Sequence, residues 1–139
     1  MPAPDIASQE TVIHRFIHNA TASESADDQV LDCCGDTLTY AKFLDIAVGI
    51  AVELREKFGE RPIVSIISDN NPYVLAVILA VWLLGGVASP LDFHAPEALL
   101  KGMLQGVQPS CVILPSTSEG NVKLVKGAFS YILSLSFSF

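Results

Sequence analysis

LLGGVASPLD, residues Leu83–Asp92, decides the fold. Upstream of it, from Tyr73, the chain is almost unbroken apolar sequence, and inside it Val87–Pro90 is a short strand-type run. The stretch either closes a membrane span or stops a buried helix and starts a buried strand. A span needs about 20 apolar residues, and Gly85-Gly86 interrupts this run after about a dozen. No cluster of Lys or Arg flanks either end to orient an insertion. Glycine enters the left-handed cap conformation at little cost, so the pair ends a helix over Tyr73–Leu84. No membrane span is expected.

Working back from that helix, Ser68-Asp69-Asn70-Asn71 is a polar loop whose last residue can cap it, with Pro72 at the first helical position. Ile63–Ile67 (IVSII) is a β-branched run of the kind buried on both faces of a parallel sheet. Working forward, Pro96 opens a helix with Leu99, Leu100, Met103 and Leu104 on one face. Pro109 breaks the chain before a third strand, Cys111–Leu114. Strand, helix, strand, helix, strand with short links predicts a parallel βαβαβ unit with right-handed crossovers.

An apolar-all-round helix needs cover on every side. The strands at Ile63, Val87 and Val112 cover one side of Tyr73–Leu84. Leaving four or five large apolar side chains wet on the other forfeits on the order of 10 kcal/mol, comparable to the whole stability of a domain. The unit is therefore expected to belong to a larger body or to associate through exposed apolar surface.

Ahead of this unit, Thr11–His18 places Val12, Ile13, Phe16 and Ile17 at helical spacing. Thr21–Gln29 is a polar, acidic loop, and Val30–Cys34 and Thr37–Tyr40 form a hairpin turning at Gly35-Asp36. Thr39 then caps a helix to about Phe58 with an apolar stripe of Phe43, Ile46, Ala47, Ile50, Ala51 and Leu54, stopped by Gly59.

Composition narrows the function. The chain has 139 residues, half of them hydrophobic, and a net charge of −7. Its mean hydropathy is +0.45 and its pI about 4.7. Without a basic stripe, nucleic acid is not an expected partner. Three cysteines without a framework spacing read as reduced thiols, and the first ten residues lack the basic and apolar regions of a secretory signal, so a cytoplasmic location is expected. The Asn19-Ala20-Thr21 sequon then carries no meaning.

LTYAKF (Leu38–Phe43), the long helix after it, the buried strand, the apolar helix and GGVASPLD together resemble the start of the AMP-forming, adenylate-forming enzymes. That superfamily holds acyl-CoA synthetases, luciferases, peptide-synthetase adenylation domains and fungal adenylate-forming reductases. Leu38, Thr39 and Tyr40 match its Leu-Thr-Tyr-x-Glu-Leu motif, whereas Lys42 and Phe43 depart. Gly85, Gly86, Pro90, Leu91 and Asp92 match Leu-Lys-Ala-Gly-Gly-Ala-Tyr-Val-Pro-Leu-Asp, whereas Leu83, Leu84, Ala88 and Ser89 depart and favour an acyl-CoA synthetase or a reductase-like branch. The likeness spans Thr11–Pro115. It implies an α/β fragment of the large N-terminal domain of that fold, within residues 1–126. It also implies a reaction of a carboxylic acid with ATP, with Mg in the full-length enzymes, giving acyl-AMP and pyrophosphate.

Both matched motifs belong to the scaffold in that family. Its phosphate loop is Ser/Thr/Gly-rich with a lysine, because backbone N–H groups and a cation must offset developing charge. Pro115–Gly120 (PSTSEG) has one glycine and no Lys-Gly ending and reads as an ordinary loop. The ribose-binding acid, the hinge and the catalytic lysine are expected beyond residue 139. No catalytic, cofactor-binding or metal-binding residue is therefore assigned, and no bound ATP or Mg is expected for this chain alone.

Other constellations take structural readings. His14 and His18 stand one helical turn apart with no third ligand and read as surface histidines. Cys33-Cys34 lacks the gap of a redox or zinc pair. Asp69-Asn70-Asn71 reads as a cap, although strand-to-helix junctions often bind ligands. Ser89, Asp92 and His94 lack a nucleophile elbow, so a hydrolase is not expected. Residues 127–139 (GAFSYILSLSFSF) carry no charge and alternate serine with apolar residues. They form a strand with one polar face or are foreign to the family, as a truncated or mis-spliced reading frame would leave them, and the second reading is preferred.

Overall fold

A computed structural model of the protein describes residues 11–33, 36–68, 72–115 and 132–135. The chain forms two compact units, Met1–Ile46 and Ala47–Phe139.

In the first unit, α1 (Val12–Thr21) begins at Thr11, whose hydroxyl accepts the His14 backbone N–H at 3.2 Å. The His14 ring closes a capping box by accepting the Thr11 N–H at Nδ1, 3.4 Å away. The helix thus runs three residues beyond the expected His18 and takes in the sequon. Strands β1 (Gln29–Cys33) and β2 (Asp36–Thr39) pair antiparallel.

The hairpin register differs from the expected one. Asp36 lies in β2 opposite Cys33 rather than in the turn, while Cys34 and Gly35 fall outside the described residues. This register sets Leu31 opposite Leu38, whereas a turn at Gly35-Asp36 would set it opposite Tyr40. The register shifts once more between Gln29 and Leu31.

Helix α2 (Tyr40–Phe58) starts as Thr39 predicts, with the Thr39 hydroxyl accepting the Lys42 N–H at 3.2 Å. Two further N–H groups of its open first turn are satisfied by the preceding loop. Tyr40 donates to the Asp28 carbonyl at 3.0 Å and Ala41 to that of Ala26 at 2.9 Å. Phe16 meets Tyr40 and Phe43 with ring centroids 5.3 Å apart in each case. Farther along, Ala47, Ile50, Ala51 and Leu54 are buried as the stripe predicts. Gly59 ends the helix at φ 75°, donating to the Arg55 carbonyl at 2.9 Å.

The second unit is built on a parallel sheet in the order β4-β3-β5-β6, with β3 Ile63–Ser68, β4 Val87–Asp92, β5 Cys111–Pro115 and β6 Ile132–Leu135. Helix α3 (Pro72–Leu83) links β3 to β4, and α4 (Glu97–Val107) links β4 to β5. The chain steps outward from β3 to β4, then back across β3 to β5. Right-handed crossovers with that reversal put α3 and α4 on opposite faces. Leu104 of α4 packs with Ile67, Val112 and Leu114, with Leu91 and Phe93 at its margin. Strand alternation then turns Val64, Ile66, Cys111 and Ile113 to the α3 face. All four are buried.

Two expectations change here. Among the described residues strand β4 is an edge strand, not a buried one, and Val87 is 57% exposed. Pro90 explains the position. Val87 donates to the Pro62 carbonyl, so Val87, Ser89 and Leu91 direct their backbone groups to β3, and Ala88, Pro90 and Asp92 direct theirs outward. The N–H that Pro90 lacks belongs to the open edge, where proline is tolerated.

Helix α3 is also better covered than an all-apolar helix on three strands would be. Ala76, Val77, Leu79, Ala80 and Val81 are buried, and at 100° per residue they span more than half the circumference. Only Leu75 and Trp82, among its described large side chains, remain exposed, at 48% and 43%. Of the tail, Ile132–Leu135 pairs parallel with β5, as the strand reading of its alternation predicts, and its other residues lie outside the described ones.

Candidate functional site

Open parallel sheets bind ligands beyond the carboxyl ends of their strands, where the winding direction reverses. Here the reversal lies between β3 and β5, so the candidate site faces Ser68 at the end of β3 and Leu114-Pro115 at the end of β5. The loops that continue from these ends, residues 69–71 and 116–131, lie outside the described residues. Asp69-Asn70-Asn71 and nearly all of Pro115–Gly120 fall there.

The rim beside this point is formed by the turn after β4. Asp92 stands opposite Ser68, and its carboxylate accepts the His94 N–H at 2.9 Å. The Ala95 N–H closes the turn on the Asp92 carbonyl at 3.1 Å. Phe93 sets its ring against that of His94, edge to face at 5.3 Å, and leans on the Ile67-Leu104 cluster. Asp92, the last residue of the matched motif, therefore shapes the rim through a side-chain-to-backbone bond. Ser89 and Asp92 sit on opposite faces of β4 by strand alternation, which separates the sequence-adjacent trio of Ser89, Asp92 and His94.

The glycine pair is scaffold, as the resemblance implies, and each member has its own task. Gly85 takes φ 69° and donates to the Trp82 carbonyl, while Gly86 donates to that of Val81, both at 2.9 Å. These two bonds form a Schellman cap. A β-carbon on Gly86 would overlap the Pro62 carbonyl oxygen and lie 2.9 Å from Pro62 Cδ. Arg61 completes the junction by donating to the Leu84 carbonyl at 3.0 Å from a left-handed backbone, φ 54°. The carboxyl end of α3 is thereby bolted to the start of β3, which fixes both strands that flank the rim.

Two features lay beyond sequence reasoning. The hydroxyl of Ser65, fully buried on the α4 face of the central strand, has no hydrogen-bond partner among the described residues. A serine inside an IVSII run is the only signal of it. In the first unit, Thr11, Val12, Arg15, Phe16, Asn19 and Tyr40 line an open cavity of about 420 Å³. His14 is engaged in the α1 cap, and no group of three or more His, Cys, Asp or Glu side chains gathers among the described residues. Cys111 is buried in β5. No helix among the described residues is long and apolar enough to cross a membrane.

Comparison with known proteins agrees with this architecture. Residues 18–132 match the family model of the AMP-binding enzymes. Hispidin synthase of Neonothopanus nambi is 39% identical over 114 residues, which are 82% of this chain and 7% of that protein. A Rhodopseudomonas palustris structure assigned as a long-chain-fatty-acid CoA ligase superposes with a TM-score of 0.81 at 19% identity, over 94% of this chain and 34% of that one. O-succinylbenzoate coenzyme A synthetase of Bacillus subtilis, solved with ATP and a magnesium ion, gives 0.74 at 16% identity, over 86% of this chain and 32% of that one. This chain thus spans a small part of the hispidin synthase and about a third of each solved ligase. The scaffold motifs, the reversed parallel sheet and the match over residues 18–132 lead to one conclusion: the chain belongs to the AMP-binding enzyme family.

Proposed function

We propose that this chain is the N-terminal part of an ATP-dependent, acid-activating ligase working in the cytoplasm. In the reaction a carboxylate oxygen attacks the α-phosphorus of ATP, an acyl-AMP forms and pyrophosphate leaves. The observation that carries the reading is the family match across residues 18–132, which takes in both scaffold motifs. On this reading the chain supplies the glycine junction, the central strands and the Asp92 rim. The phosphate and ribose contacts, the magnesium ligands and the catalytic lysine would lie in the part of the relatives' length that this chain does not span, so on this reading the chain alone is inactive.

Two measurements test this. The first is acid-dependent ATP–pyrophosphate exchange by the purified chain with a panel of carboxylic acids. No exchange is expected, and robust turnover would overturn the inactivity. The second grafts the part of this chain that aligns with hispidin synthase in place of the matching 114-residue stretch of that protein and follows hispidin formation. Retained product supports the proposed role. Loss of product in a chimera that still folds counts against it.

A second reading is a non-catalytic α/β module that covers α3 with a partner protein or with another copy of itself. The exposure of Leu75 and Trp82 favours it. A strictly monomeric, cooperatively unfolding chain at micromolar concentration would remove that reading.

A further inference from the structure

We draw no further inference here: the strongest candidate, the outward stripe of α4 formed by Leu99, Gly102, Met103 and Gly106 with open space above both glycines, is an unpartnered apolar and small-residue face, and nothing in the structure shows what covers it.

Discussion

Pro62 and Gly86 approach so closely that the α-hydrogen of Gly86 occupies space no methyl group could share. The Val87 N–H, one residue on, donates to the Pro62 carbonyl at 2.9 Å, so the contact belongs to the first rung of the β3-β4 ladder. An added β-carbon would push against backbone, which cannot swing aside as a side chain would. Gly86→Ala should therefore cost the upper end of the ~1–3 kcal/mol typical of overpacking. Gly85→Ala should cost ~1–2 kcal/mol, the penalty of a left-handed backbone for an L-residue. Urea denaturation of both variants checks the order, and a Gly86→Ala protein as stable as the parent would refute the close approach.

Ser65 offers a gain in stability. Its hydroxyl is desolvated without a partner among the described residues, and an unsatisfied buried group costs about 1–3 kcal/mol. Ser65→Ala removes the group and leaves only a small void, so a rise of about 1 kcal/mol is expected from the denaturation midpoint. A loss of similar size would mean that the hydroxyl is satisfied by a bound water.

Gln108 holds the left-handed position after α4 at φ 51° and caps the helix by donating its N–H to the Leu104 carbonyl at 3.0 Å. Glycine keeps that bond and relieves the β-carbon clash. Gln108→Gly should stabilise by roughly 0.5–1 kcal/mol, the strain relief less the added chain entropy. Thermal unfolding is a sufficient readout, and a lowered midpoint would contradict the expected relief.

Pro90 guards the outer edge of β4. With Pro90→Val, a third outward N–H joins those of Ala88 and Asp92, and the edge becomes a more complete template for another strand. Sedimentation velocity over a concentration series should show stronger self-association of the variant than of the parent. Equal behaviour at every concentration would show that the edge is protected by something other than the proline.

Much of this architecture was legible before any coordinates. The β-branched run at Ile63–Ile67, the apolar run to Leu84, the Thr39 cap and the stops at Gly59 and Gly85 each depend on residues a few positions apart, and local sterics settle them. That the glycine and LTY motifs belong to the scaffold is what the family resemblance implied. The candidate site was legible only as the ends of strands, because the reversal that locates it is a property of strand order.

Sequence alone thus determined the elements as far as β5, their order along the chain and the parallel class. Tertiary structure alone decided that β3 lies between β4 and β5, that β4 is an edge, and that Pro62 meets Gly86. It also left the Ser65 hydroxyl without a partner among the described residues. Each of these depends on residues far apart in the chain meeting in space, as Val64 meets Ala88 on one side and Cys111 on the other. Such pairings are selected by the burial of the whole sheet, and no local pattern of side chains encodes which neighbour a strand will take.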